Sequence, residues 1–424
     1  MTPPVSAAPV LSRYRWTICA LLFSATTINY MDRQILGILA PVLQTDIGWN
    51  EMQYGHIVTA FQLAYALGLG LMGRFVDVIG TKRGYSVAIV IWSLAAMGHA
   101  AVHSVFGFGL ARFGLGFGEA GNFPAAIKTV AEWFPKKERA LATGIFNSGA
   151  NIGAVLAPLA VPWITLHYGW RAAFLCLGAL GFGWILFWLL FYETPERCGR
   201  IGPVDRVLLR VGDDAPVVEK VSWRWLFAQR QTWAYIVATA IVSPVWWFFL
   251  YWLPKFLHQQ HGLDLAHLGA PLMVVYTGAC IGSVGGGWIP AQLLKRGRTP
   301  NFSRKMALLI CALAALPVIF APLVVNLWLA VGLMALAAAA NQGYFANLYT
   351  TVSDLFPKQA VASVVGLGGM FGSLFAALFA EVAGYVLQHT GRYQGLFLFC
   401  GSAFLLSVLL FHLLSPRLRP VAMT

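Results

Sequence analysis

The sequence predicts an all-α membrane protein in which twelve transmembrane helices form two parallel, pseudo-symmetric halves of six helices each. Three observations predict this class. Of the 424 residues, 58% are hydrophobic and 11% are charged, whereas soluble globular proteins carry roughly 25% charged residues. Apolar runs of about 20 residues, the length that spans a bilayer as a helix, recur along the whole chain. The second half of the chain repeats features of the first half in a constant register.

Each apolar run is long enough to cross a membrane, and many contain the small residues that let membrane helices approach closely. The predicted spans are residues 16–39, 54–73, 83–102, 106–127, 141–164, 170–191, 231–254, 268–290, 305–323, 327–349, 362–386 and 393–414. Residues 193–230 are rich in Pro, Gly and charge and are too short to bury a core. We interpret them as a cytoplasmic linker between an N-terminal half, 1–192, and a C-terminal half, 231–424.

The basic residues predict the orientation of the chain in the membrane. Of the 29 lysines and arginines, 24 lie in one set of loops and termini and 3 in the alternate set, while Arg33 and Arg112 lie within spans. Since basic residues accumulate on the cytoplasmic side, both termini are predicted to be cytoplasmic. This pattern explains the net charge of +13 with the lipid bilayer as partner and without nucleic acid. The N-terminus lacks a cleavable signal pattern, so the first span is predicted to be an uncleaved anchor.

The two halves of the chain match at an offset of 222 residues. The segment EWFPK at 132–136 matches DLFPK at 354–358, and Gly144 matches Gly366. An even number of spans separates the copies, so both have the same orientation and the repeat is parallel. Parallel halves of six helices, with a site between them near the bilayer midplane, describe one class of secondary transporter.

The segment GRFVDVIGTKRG at 73–84 resembles the loop signature of the major facilitator superfamily. The matching residues are Gly73, Asp77, Gly80, Lys82 and Arg83, between the second and third predicted spans as the family requires. The resemblance implies the major facilitator fold. We interpret the motif as a gating element at the cytoplasmic mouth, where Asp77 pairs with basic residues or with a helix N-terminus and latches one conformation. The equivalent loop of the second half, GGWIPAQLLKRG, lacks the Asp.

Within this superfamily the chain is similar to the anion:cation symporter branch, and most of all to bacterial hexuronate and other sugar-acid transporters. The resemblance rests on NYMDR at 29–33, ARFGLGFGEAGNFPA at 111–125 and WFPKKERALATGIFNSGANIGA at 133–154, and it covers essentially the whole chain. It implies proton-coupled import of galacturonate, glucuronate, galactonate or glucarate by alternating access. It also implies a functional monomer in the bacterial inner membrane, with the proton as coupling ion and no cofactor.

Few charges interrupt the spans, and each needs a reason, because a charged side chain at a helix centre costs roughly 2.5–3.5 kcal/mol on insertion scales. Asp32 and Arg33 lie in the first span, and Arg112 and Glu119 lie two turns apart on one face of the fourth. Asp32 and Arg33 form either a structural ion pair or a proton carrier beside a guanidinium that binds an anion. Arg112 and Glu119 must find partners on other helices. Glu381, nearer a membrane face, is interpreted as structural.

The resemblance divides these residues by role. It implies that Asp32 and Glu119 are proton-coupling sites and that Arg33 binds the substrate. It also implies that Tyr30, and Tyr65 in the second span, contact the substrate. Arg112 either joins the anion site or balances the acidic residues.

Uncharged residues complete the predicted substrate site. They are Asn147 and Asn151, one turn apart in the fifth span, and Asn341 and Gln342 in the tenth. At the offset of 222 residues, Asn341 is the repeat partner of Glu119, so proton handling is assigned to the first half. Trp246, Trp247 and Tyr251 either cover a sugar ring or form an aromatic belt at the interface; we favour the site for one of the two tryptophans.

Two rival functions and one rival coupling scheme follow from the same residues. A membrane enzyme is disfavoured because the chain has no HExxH, no nucleophile elbow and no His/Cys cluster with metal-ligand spacing. A membrane sensor built on a transporter scaffold, and an exchanger or sodium-coupled carrier of other carboxylates, remain open. Five histidines near span ends are interpreted as solvated interface residues without a relay role: His56, His99, His103, His167 and His389.

Overall fold

A computed structural model describes residues 13–202 and 222–421, and they are almost entirely helical. The α-helices are α1 (Tyr14–Ile47), α2 (Glu51–Ile79), α3 (Thr81–Gly98), α4 (Val105–Glu119), α5 (Asn122–Trp133), α6 (Lys136–Tyr168), α7 (Trp170–Phe191), α8 (Trp223–Ala228), α9 (Arg230–Tyr251), α10 (Leu253–His261), α11 (Gly269–Lys295), α12 (Pro300–Ala315), α13 (Leu327–Leu355), α14 (Lys358–Thr390) and α15 (Gln394–Leu414). Short 3-10 segments extend α3 and α12. Of the predicted linker, residues 203–221 lie outside the described residues.

Within residues 13–202 and 222–421, ten helices, some with their 3-10 extension, are long and apolar enough to cross a membrane. The two remaining predicted spans correspond to α1, which has 34 residues and carries Asp32 and Arg33, and to α4 with α5. The prediction of one continuous fourth span was wrong. The helix is interrupted after Glu119, where the Gly121 N–H bonds to the Gly118 carbonyl in a tighter turn. A Cβ on Gly118 would lie 2.6 Å from the Trp92 nitrogen, so only glycine permits this approach of α4 to α3.

The repeat appears directly in the helix bounds. The helix α6 runs from residue 136 to 168 and α14 from 358 to 390, so both ends differ by 222 residues. Likewise α4 begins at Val105 and α13 at Leu327. The equivalence ends at Glu119, the last residue of α4. At the corresponding position, Asn341, α13 continues without interruption. The two halves therefore share an architecture, and Asn341 lies where the first half has Glu119.

The two halves contact each other mainly at one end of the bundle. We call the end at which α1 begins and α15 ends the terminal end, and the opposite end the far end. A Cβ on Gly37 would lie 2.3 Å from the Leu250 carbonyl oxygen, and one on Gly55 would lie 2.9 Å from that of Ala380. Glycines thus let α1 and α2 touch α9 and α14. Within the described residues, the hydrogen bonds and ion pairs between halves lie between the far end and the buried middle of the bundle.

A glycine pair on α11 offers a test of the packing. A Cβ on Gly286 would lie 2.2 Å from the Cα of Gly343 in α13, whereas nothing lies within 4 Å of one on Gly287. We expect Gly286→Ala to destabilise the protein by about 1–3 kcal/mol through overpacking, and Gly287→Ala to have little effect. Thermal unfolding of the two purified variants in detergent measures the difference. Equal unfolding temperatures would contradict the close approach of α11 and α13.

Candidate functional site

Arg33 lies at the centre of a buried cluster in the first half. Its side chain is 2% exposed; Nε donates to Glu119 Oε2 of α4 at 2.8 Å, and Nη2 lies 2.7 Å from the same oxygen. Nη2 also lies 3.3 Å from Asn29 Oδ1, one turn earlier on α1. Charge-assisted bonds of this length are among the stronger ones in proteins. Glu119 therefore has the partner on the first span that its position requires.

Aromatic rings surround the Arg33 guanidinium. Its central carbon lies 4.7 Å from the ring centre of Tyr30, 4.8 Å from Tyr65, 5.0 Å from Trp247 and 5.3 Å from Phe61. Such rings attract a cation through their quadrupoles. Trp247 belongs to α9, so the second half supplies part of this enclosure. Its neighbour on the chain, Trp246, packs instead against Tyr276 with ring centres 6.1 Å apart.

Arg112 is the second buried cation, and it lies behind the first. It is 0% exposed. Its Nη2 donates to the Arg33 backbone carbonyl at 3.3 Å and to the Tyr251 hydroxyl at 2.8 Å, while Nε and Nη1 have no hydrogen-bond partner in the described residues. Phe61 covers its guanidinium at 4.8 Å. Arg112 thus connects the first half to Tyr251 of the second.

Asp32 is buried without a hydrogen-bond partner. It is 0% exposed, and neither carboxyl oxygen is hydrogen-bonded in the described part of the chain. It interacts electrostatically with Glu119 and Arg112. The hypothesis of an ion pair with Arg33 was wrong, because consecutive residues on a helix do not face each other. Asp32, Arg33, Arg112 and Glu119 form what we call the charged cluster, with two acids and two bases.

The predicted uncharged residues are distributed unequally. Asn341 on α13 is 0% exposed, and both polar atoms of its amide lack partners within the described residues. Gln342 beside it is half-buried, Asn151 on α6 is half-buried and Asn147 is exposed. None of these four has a hydrogen bond to the charged cluster in the described ranges. They lie on helices of the two halves without being drawn into the cluster.

Three polar or aromatic residues of this region were not predicted. Asn29 lies one turn before Arg33, and Phe61 lies one turn before Tyr65, so helical spacing from the predicted residues could have identified both. Gln62 is 0% exposed, and its amide has no partner in the described residues. In the sequence, the only signal for Gln62 was its place as a polar residue within an apolar span.

The predicted gating motif lies at the terminal end, and two of its three charged residues, Asp77 and Lys82, are paired. Asp77 accepts a hydrogen bond from Lys128 Nζ at 3.0 Å, Lys82 bonds to Glu193, and Arg83 is exposed. Gly80, with φ of 87°, joins α2 to α3 in a conformation that favours glycine. Gly73 has room for a side chain, since its nearest neighbour is the Pro124 Cβ at 3.8 Å. The Asp77 bond joins α2 to α5, and the Lys82 bond joins α3 to the first residue of the linker.

The interpretation of one histidine was wrong. His99 is 0% exposed and stacks on Phe174 with ring centres 4.8 Å apart. Its Nδ1 lies 2.7 Å from the Ala95 carbonyl oxygen, which satisfies one ring nitrogen inside the bundle. His56 is exposed, and it lies 2.7 Å from Glu381 of the second half.

A buried ion pair joins the halves at the far end. Lys255 of α10 is 1% exposed and lies 2.6 Å from Glu51 of α2. The Lys255 ammonium covers the Tyr54 ring at 5.0 Å, and the Tyr54 hydroxyl donates to the Tyr251 carbonyl at 2.7 Å. We call Glu51 and Lys255 the far-end pair. Through Tyr54 and Tyr251 it is connected to Arg112 and so to the charged cluster.

Comparisons with known proteins agree with this architecture. A sequence model described as Major Facilitator Superfamily matches residues 22–380 and 299–423. The hexuronate transporter of Escherichia coli strain K12 is 32% identical over 383 residues, or 89% of this chain and 88% of the relative. A probable galactarate/D-glucarate transporter of Bacillus subtilis strain 168 is 28% identical over 437 residues, or 99% and 96%. A solved structure of a bacterial homologue of the human lysosomal transporter Spinster has the same fold, with a TM-score of 0.73 at 20% identity over 96% of both chains.

Proposed function

This chain belongs to the major facilitator superfamily and is a membrane transporter related to sugar-acid carriers, not an enzyme; we propose that it imports a hexuronate or related sugar acid together with protons. The candidate substrates are galacturonate, glucuronate, galactonate and glucarate. The observation that carries the proposal is the buried pair of Arg33 and Glu119, 2.7 Å apart. The Glu119 carboxylate pairs with the Arg33 guanidinium, which would bind the substrate carboxylate. The two carboxylates therefore compete for Arg33.

This competition couples protons to substrate. Glu119 ionised occupies the Nε and Nη2 edge of Arg33. When Glu119 takes up a proton it loses its charge, and the edge becomes available to the substrate carboxylate, which it binds through two parallel bonds. When the substrate leaves, Arg33 again favours the ionised form of Glu119 and expels the proton. Binding of the anion and protonation of Glu119 thus require each other.

Asp32 supplies a second proton site. With both acids ionised the charged cluster is neutral, and one proton on Glu119 balances one substrate carboxylate. Asp32 interacts electrostatically with Arg112. A second proton on Asp32 leaves the charged cluster and the bound substrate together with a net positive charge. Import with two protons per monoanion would therefore be driven by the membrane potential as well as by the pH gradient.

The sugar hydroxyls have partners on both halves. Tyr30 and Tyr65 offer aromatic faces and hydroxyls around Arg33, and Trp247 offers an aromatic face. Asn341 offers an amide without a partner in the described residues. We also assign Asn147, Asn151 and Gln342 to the substrate site, and Trp246 to the margin of that site. The gating motif at the terminal end, from Gly73 to Arg83, is assigned to the conformational change and not to substrate.

The charge distribution of the loops supports a cytoplasmic location for both termini and for the linker 193–230 between the halves 1–192 and 231–424, in a bacterial inner membrane. With this orientation the far end faces outward. In the described residues the bonds between the halves lie between the far end and the middle of the bundle, and this distribution supports our assignment of an inward-facing state. Opening to the outside requires that the far-end pair separates.

The far-end pair is expected to control this equilibrium. Glu51→Gln leaves Lys255, 1% exposed, without its counter-ion in the closed state, and such a loss costs roughly 3–5 kcal/mol. Water hydrates the lysine when the far end opens, so the variant should favour the outward-facing state. A cysteine at Thr59, whose hydroxyl donates to Ala377 across the interface at 3.1 Å, should react at least about tenfold faster with a membrane-impermeant maleimide, a shift of roughly 1.4 kcal/mol.

Glu381→Gln in the same Thr59→Cys background is the matched control. Glu381 also pairs across the halves, with His56, but the two side chains are 36% and 53% exposed, and exposed pairs contribute little. The reaction rate should therefore change little. A rate that rises equally in both variants would show that loss of any carboxylate loosens the interface.

Uptake by proteoliposomes tests the proposed function. Purified protein is reconstituted, a pH gradient is imposed, and accumulation of labelled galacturonate or glucuronate is measured with and without a protonophore. We expect accumulation that the protonophore abolishes. Accumulation that follows a sodium gradient, or exchange without accumulation, would replace the coupling scheme. Binding without any uptake would instead support a sensor on a transporter scaffold.

A further inference from the structure

The two buried guanidinium groups differ in what they can offer an anion. Within the described residues, the Arg33 guanidinium bonds to side chains and not to the backbone; the partners are Glu119, Asn29 and Tyr30. One of these partners, Glu119, can be neutralised by a proton. An incoming carboxylate therefore finds in Arg33 a cation that is released without breaking any bond to the backbone.

Arg112 is tied through Nη2 to the backbone and to the second half, while its Nε and Nη1 have no hydrogen-bond partner in the described residues. It is 0% exposed and donates to the backbone carbonyl of Arg33 and to the Tyr251 hydroxyl. Asp32 balances its charge electrostatically. Phe61 and Tyr251 cover its guanidinium at 4.8 and 5.3 Å. A carboxylate could reach Arg112 only by displacing Tyr251, the residue through which Arg112 is linked to the second half.

Three further cations of the described residues, one at the far end and two toward the terminal end, are also paired. Lys255 is paired with Glu51, Lys128 with Asp77 and Arg304 with Asp354. At the position of the second half that corresponds to Glu119, Asn341 is neutral, and both polar atoms of its amide are unsatisfied in the described residues. An amide can donate to and accept from a hydroxyl, but it does not balance a charge. A second carboxylate would be desolvated without a counter-ion, which is costly.

We infer that the site is selective for sugar acids with a single carboxylate, and that it discriminates against aldaric acids, which carry one at each end. This inference rests on the proposed function, and it narrows the candidates to hexuronates and aldonates. Selectivity follows from the inequality of Arg33 and Arg112: one guanidinium is available to substrate and the other is structural. The neutral end of the substrate, an alcohol or a sugar ring, then lies toward the uncharged second half.

A matched pair of ligands tests this inference. Galactonate and galactarate are both open chains with the same hydroxyl configuration, and they differ only in whether the last carbon is an alcohol or a carboxylate. Each is used at pH 7.5 to inhibit exchange of labelled galacturonate in proteoliposomes. We expect galactonate to inhibit, and galactarate to need at least about tenfold higher concentration, which corresponds to roughly 1.4 kcal/mol.

Equal inhibition by the two acids would overturn the inference and leave sugar-acid transport intact. Failure of galacturonate itself to exchange would remove the proposed function, and the inference with it. The Glu119→Gln variant provides a second measurement, because Arg33 is then available at any pH. The same preference for galactonate is expected in this variant. If the preference disappeared, repulsion between Glu119 and the second carboxylate would be its cause, and the lack of a second available cation would not.

Discussion

Proteoliposomes that contain the Glu119→Gln variant are expected to lose accumulation of sugar acid driven by a pH gradient, and those that contain Asp32→Asn to lose part of it, while both retain exchange of labelled for unlabelled substrate. Glu119 and Asp32 are 1% and 0% exposed, and an amide of the same shape cannot take up or release the proton. One coupled proton raises the accumulation ratio about tenfold per unit of pH gradient. In Glu119→Gln that ratio should fall to about one, whereas in Asp32→Asn the proton on Glu119 remains and the ratio should fall by the contribution of one proton, about tenfold per unit of pH gradient.

The two variants differ in what they leave behind. In Glu119→Gln the amide oxygen can still accept a bond from Arg33, so substrate affinity at neutral pH should be retained or increased. In Asp32→Asn, Arg112 loses the carboxylate that balances its charge, so a loss of thermal stability should accompany the loss of coupling.

Glu381→Gln is the control for both variants, because Glu381 is a carboxylate outside the charged cluster, paired with His56 in an exposed position. It should accumulate substrate as the unaltered protein does. Undiminished accumulation in both Glu119→Gln and Asp32→Asn would refute the assignment of proton coupling to these acids.

Much of the fold and the membership of the charged cluster could be predicted from the sequence. The predicted span 170–191 coincides with α7, Trp170–Phe191, because Gly169 with φ of 83° ends the preceding helix there. The four charged residues of the cluster could be identified because a charged side chain within a membrane span is costly and therefore rare. The register of the repeat also predicted that Asn341 stands where Glu119 stands in the first half, since the bounds of α6 and α14 differ by the same 222 residues.

The contacts between distant residues could not be predicted in this way. Arg33 and Glu119 are 86 residues apart, and helical spacing only shows that each lacks a partner on its own helix. Which of Trp246 and Trp247 contacts Arg33 depends on how α9 is rotated against the first half. His99 is near a helix end in the sequence, yet Phe174 covers it. Tertiary packing decides each of these, and periodicity carries no information about it.

Arg33→Lys is expected to weaken substrate binding at least about tenfold, although the charge is kept. The guanidinium is a planar fork that bonds through Nε and Nη2 at once, and its faces meet the rings of Tyr30, Tyr65 and Trp247 at 4.7–5.0 Å. A lysine ammonium is a compact point charge on a flexible stem, so it offers no fork and stacks less well. The concentration of galacturonate that gives half-maximal exchange measures the change.

Because the positive charge is preserved, Arg33→Lys separates recognition from neutralisation. Lysine still balances Glu119, so the protein should fold and the proton coupling of whatever substrate it carries should persist. The conservative exchange Arg83→Lys, at an exposed position of the gating motif, is the matched control and should leave affinity unchanged. If Arg33→Lys bound galacturonate with unaltered affinity, the substrate carboxylate would have to bind at another residue, and the competition between substrate and Glu119 would no longer explain coupling.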